Sequence, residues 1–99
     1  MPIEVPLILC KMREVATESR VLSLLSQGGE EENQHLRFAN GRVILALVDL
    51  LLAITNEWDY KFKREVAGQV DDILREMRGY TDSISLKDQA EIIRSLLAD

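Results

Sequence analysis

An all-α fold, a small antiparallel bundle of three to four helices, is predicted for this 99-residue chain. Three observations predict it. Both prolines, Pro2 and Pro6, stand at the start of the chain, so no proline interrupts a helix afterwards. Leucine is the commonest residue and aromatics make up only 5%, a composition that favours helix over sheet. Apolar residues also recur at helical spacing in four successive stretches. The length fits one domain over residues 1–99, with 1–6 as an N-terminal tail and 27–31 as a Gly/Glu loop.

The first helix is expected from about Leu7 to Leu25. Ile8, Met12, Val15, Ser19 and Leu22 fall on one face, with Lys11, Arg13, Glu14, Glu18 and Arg20 around the rest. Gly28-Gly29 is a stop signal, and Glu30-Glu31-Glu32 suits a solvated helix start, where the dipole favours negative charge. The second helix is expected from about Glu32 to Trp58 and is the most apolar. Asn40-Gly41 is a turn signal inside it, but Leu36, Val43, Leu47, Leu50 and Ile54 keep helical spacing across the dipeptide, which predicts a continuous helix. Some 25 residues make about 37 Å of helix, against a radius of gyration of about 13 Å for a compact chain of this size. Such a helix must be the central element or pack on a second chain.

The third helix is expected from about Asp59 to Tyr80, with Phe62, Val66, Val70, Ile73, Met77 and Tyr80 as its apolar stripe. The fourth opens at Ser85-Leu86-Lys87-Asp88, a capping box with Asp in place of the usual Glu or Gln. Ala90, Ile93, Leu96 and Leu97 supply its apolar face. A helix this short holds only if docked.

Several function classes are disfavoured by composition. Twelve basic residues against seventeen acidic ones give a net charge of −5, against a nucleic-acid binder that relies on a broad basic face. One cysteine and one histidine leave no internal disulfide, no cysteine-cluster metal site and no two-histidine metal motif. Cys10, between Leu9 and Lys11, is expected in the core. There is no phosphate loop, nucleophile elbow or dinucleotide fingerprint, so no catalytic, cofactor-binding or metal-binding residue is assigned and no enzyme is expected. The run from Val43 to Thr55 is interrupted by Asp49 and falls short of the roughly 20 apolar residues of a membrane span. The first ten residues lack the positive charge and the small residue before the cleavage point that a signal needs. A cytoplasmic location without a membrane is therefore expected.

Two patterns stand out. On the second helix Ala39, Ala46 and Ala53 recur every seventh residue, with His35, Arg42, Asp49 and Asn56 at the same interval beside them. This strip has three readings: a solvent edge, a close helix–helix seam, or a ligand site. As a seam, small side chains let two helices approach. Arg42 of one copy would lie opposite Asp49 of another across a twofold axis near Ala46, making Arg42, Ala46, Asp49 and Ala53 the dimer contacts. As a site, His35 and Asp49 stand about 21 Å apart and cannot work together in one chain. The second pattern is Trp58-Asp59-Tyr60-Lys61-Phe62-Lys63-Arg64, where aromatic and basic residues interleave. Trp58 and Phe62 at i, i+4 suit a core. Trp58, Tyr60, Lys61, Lys63 and Arg64 also suit a partner contact, since such residues anchor interfaces.

The stretch from Arg42 to Asp82, with its apolar spacing and its Tyr80-Thr81-Asp82 end, is similar to small acidic dimeric helical biofilm-regulator proteins of the AriR/YmgB type. No site residue is carried over from that resemblance. The expectation is a small acidic protein-binding regulator or adaptor acting through helix faces, as a homodimer with a further protein partner. The alternative is a structural subunit of a larger assembly.

Overall fold

The computed structural model describes residues 4–25, 30–78 and 84–98, and all of its regular structure is helical. Helix α1 spans Glu4–Leu25, α2 spans Glu30–Ile54, α3 spans Tyr60–Arg78 and α4 spans Leu86–Leu97. A 3-10 turn, Thr55–Glu57, joins α2 to α3.

Helix α1 starts earlier than its periodicity suggests. Glu4, Val5 and Pro6 are helical and not tail, because proline is tolerated in a first turn, where its missing N–H has no partner to lose. Val5 is buried, so this turn belongs to the core. Met12, Val15 and Ser19 are buried and Ile8 and Leu22 are half-buried, the face read from the sequence. Cys10 corrects an expectation: it is exposed, because the inward face at this level is held by Leu9 and Met12. The Gly28-Gly29 stop and the Gly79 to Ser83 connection lie outside the described residues; Glu30 and Glu31, expected in a loop, are helical.

Helix α2 runs unbroken through Asn40-Gly41 and ends at Ile54, short of the expected Trp58. Thr55 Oγ1 donates to the Leu52 carbonyl at 3.0 Å as the chain tightens into the 3-10 turn. Asp59 then opens α3, its carboxylate accepting from the Phe62 N–H at 2.8 Å.

The helices alternate in direction. The first turn of α1 (Leu7, Ile8) lies beside the last turns of α2 (Leu50, Ile54), so the two are antiparallel. Arg13 donates to Gln69 and Arg20 pairs with Glu76 at 3.7 Å, so α1 and α3 run in parallel. Gln89 donates to Asp71 at 2.6 Å and Lys63 to the Ala98 carbonyl at 2.8 Å, so α4 returns antiparallel along α3. The core is where these faces meet: Met12 from α1, Ile44, Val48 and Leu51 from α2, Val70, Leu74 and Met77 from α3, and Leu96 from α4.

The fourth helix carries the capping box. Ser85 Oγ accepts from the Asp88 N–H at 3.1 Å, and Asp88 Oδ2 accepts from the Ser85 N–H at 3.3 Å. Ser85→Ala is expected to lower stability by about 1 kcal/mol, the usual worth of such a cap. Urea unfolding should show this as a lower midpoint with an unchanged slope; a cap without that effect would mean that docking alone holds α4.

Candidate protein-interaction surface

Helix α2 is apolar on most of its circumference, and packing decides which apolar side chains are inside. Ile44, Val48, Leu51 and Thr55 face α1 and the core, together with Gly41. The stripe that keeps helical spacing across Asn40-Gly41 lies elsewhere. Leu36 is 48% exposed, Val43 41% and Leu50 54%, while Leu47 and Ile54 are half-buried. The two stripes are neighbours on one cylinder, and the less hydrophobic of them is the buried one.

Next to the exposed stripe lies the alanine strip. Ala39, Ala46 and Ala53 are all exposed, as are His35, Arg42, Asp49 and Asn56. In the single chain the strip therefore faces outward, as both a solvent edge and a seam require. Ala39, Arg42, Val43 and Ala46 line a shallow depression of 350 Å³, which joins the strip to the leucine stripe. Toward the other end Leu7 and Ile8 of α1 border Leu50 and Ile54 around a recess of 340 Å³. Leu7 is 65% exposed. The result is one apolar face that crosses from α2 onto α1.

The stretch Phe38–Glu57 is long and apolar enough, by length and composition, to cross a membrane, and only 28% of its 18-residue apolar window is buried. It extends beyond the Val43–Thr55 run because the exposed Phe38 and Ala39 continue it toward the N-terminus. Arg42 and Asp49 remain inside it.

The Trp58 to Arg64 segment divides. Trp58 is buried and meets Phe62 edge-on, ring centroids 4.9 Å apart. Lys63 is buried too, its ammonium bonded to the Ala98 carbonyl. These two hold α3 to the rest of the fold. Tyr60, Lys61 and Arg64 are exposed, with the Arg64 guanidinium 5.9 Å from the centre of the Tyr60 ring. They share a shallow recess with Glu65. Tyr60 and Arg64 are an exposed cation–π pair, an arrangement that presents both a flat apolar surface and a charge.

Among the described residues no three His, Cys, Asp or Glu side chains gather as a metal ion would need. His35 and Asp49 are both exposed on α2, separated along its length. Exposed Leu36, Val43 and Leu50 are the candidates that sequence reasoning did not single out; there they served only as evidence that α2 is continuous. Their sevenfold interval, shared with the alanines, was the available signal.

No protein-family model, no curated protein and no solved structure matches the chain.

Proposed function

We propose that this chain is a small helical protein-binding regulator or adaptor of the cytoplasm, working through helix faces and not by catalysis, and that α2 joins two copies into an antiparallel homodimer. The observation that carries this reading is the exposed apolar face of α2. Leu36, Val43 and Leu50 repeat every seventh residue, and from Val43 the steps to Leu47, Leu50 and Ile54 are four, three and four, the alternation of a coiled-coil seam. Turned about a twofold axis near residues 45 and 46, this stripe meets itself: Leu36 of one copy lies against Ile54 of the other, and Val43 against Leu47. The alanines flank the seam and let the helices approach.

Charge supports the same register. Antiparallel pairing sets Arg42 opposite Asp49 twice over, once on each side of the axis. In a bilayer, by contrast, the same two residues would each add about 2.5–3.5 kcal/mol at the helix centre. A strip from Leu36 to Ile54, about 28 Å long and about 10 Å wide, presents on the order of 280 Å² per copy, roughly a third of the 800 Å² of a standard interface. Leu7 and Ile8 widen the contact, and the dimer is expected to dissociate on dilution.

Light scattering over a dilution series tests the reading. Twice the 11.3 kDa chain mass, falling toward one chain, is the expected result. A single chain at every concentration would overturn the homodimer. An open-ended series of masses would favour the structural subunit, and flotation with lipid vesicles would replace both readings with a membrane one.

A further inference from the structure

A second surface lies on the other side of the molecule, where α3 and α4 leave an open groove of 690 Å³ between them. Its lining is small or apolar at the centre, with Ala67, Gly68 and Ala90, then Ile93 and Leu97. Leu86 stands at one end, 66% exposed. Arg64 and Arg75 border it from α3 and Arg94 from α4. The one carboxylate among the lining residues, Asp71, already pairs with Arg75 at 2.9 Å and accepts from Gln89 at 2.6 Å. The groove thus carries surplus positive charge on a chain whose net charge is −5.

Gly68 gives the second indication. It lies in the interior of α3, and a Cβ added there would meet nothing within 4 Å. Glycine in a helix interior is destabilising by about 1 kcal/mol relative to alanine. No neighbour within the described fold uses the space that its missing side chain leaves. A bare helix surface at the centre of a groove does, however, let another helix approach closely.

We propose that this groove binds an acidic amphipathic helix of a partner protein. The occupant's apolar face lies on Ala67, Gly68, Ala90 and Ile93, and carboxylates on its flanks meet Arg64 and Arg94. Helix α4 has 12 residues, so the groove accommodates about 18 Å, or three turns, of helix. The proposal rests on the protein-binding reading and names the partner's chemistry.

A fluorescent peptide of about four turns, with leucines at helical spacing and glutamates on both flanks, tests it against a copy bearing lysines in place of the glutamates. Anisotropy is read with the Ala46→Arg variant, so that self-association through α2 does not intervene. Saturable binding of the acidic peptide is expected, and the lysine copy should bind at least about tenfold more weakly. Gly68→Leu should abolish binding while leaving the helical circular dichroism unchanged, since the new side chain enters open space. Arg64→Glu combined with Arg94→Glu should reverse the peptide preference.

Equal binding of both peptides, binding of neither, or undiminished binding to Gly68→Leu would overturn the proposal. Self-association of the Ala46→Arg variant that Gly68→Leu removes would assign the groove to a second copy instead. The two readings fail separately. A wild-type dimer that ignores the peptide sinks only the groove, and a monomer that binds it sinks only the α2 seam.

Discussion

Ala46→Arg is expected to halve the molar mass at concentrations where the wild type is a dimer. Ala46 is exposed, so a longer side chain there disturbs no contact within the chain. Across the twofold axis each copy brings its own arginine to nearly the same point. Two guanidinium groups then meet where two methyl groups met before. Like charges directly opposed at an interface cost several kcal/mol, enough to shift a modest association constant by orders of magnitude. Circular dichroism should be unchanged, which separates loss of pairing from loss of fold. An unchanged mass would move the seam away from the alanine strip.

Leu51→Ala and Leu50→Ala are expected to behave as opposites although the residues are adjacent. Leu51 is wholly buried and Leu50 is 54% exposed. Truncating a buried leucine removes apolar burial and leaves a cavity, together worth about 2–5 kcal/mol. That is a large share of the roughly 5–15 kcal/mol that holds a domain together. Leu50→Ala should change the stability of the monomer by no more than about 0.5 kcal/mol, as is usual for surface sites. It should instead weaken self-association. Urea unfolding of both variants with Ala46→Arg present isolates the monomer. Equal losses at the two positions would place Leu50 in the core and remove the exposed stripe on which the dimer rests.

Elements governed by local chemistry were the ones legible in the sequence. Ser85 and Asp88 specify their reciprocal cap within four residues, and both bonds are present. Helix α3 separates its apolar stripe from its charges, so Val66, Val70, Ile73 and Met77 were identifiable as inward residues, and they are buried. Helix α2 defeats the same reasoning. When leucine, isoleucine and valine occupy most of the circumference, periodicity no longer points in one direction. The buried stripe includes Gly41 and Thr55, so ranking by hydrophobicity selects its neighbour. Only the position of α1 resolves the choice. Lys63 was opaque for a related reason: its partner, Ala98, is distant in sequence and comes within reach only when α4 folds back. The α3–α4 groove likewise exists only once two amphipathic helices meet at a particular offset.

The Lys63 bond has a consequence for how the molecule comes apart. An ammonium in the first turn of α3 grips a carbonyl just past the last turn of α4. Near the other end of the pair, Gln89 grips Asp71. Fraying α4 from its end gives up this bond together with the packing of Leu96 and Leu97, so more is lost than with an undocked terminal turn. The amides of its final turn are therefore expected to exchange more slowly than those of a helix end with no such anchor.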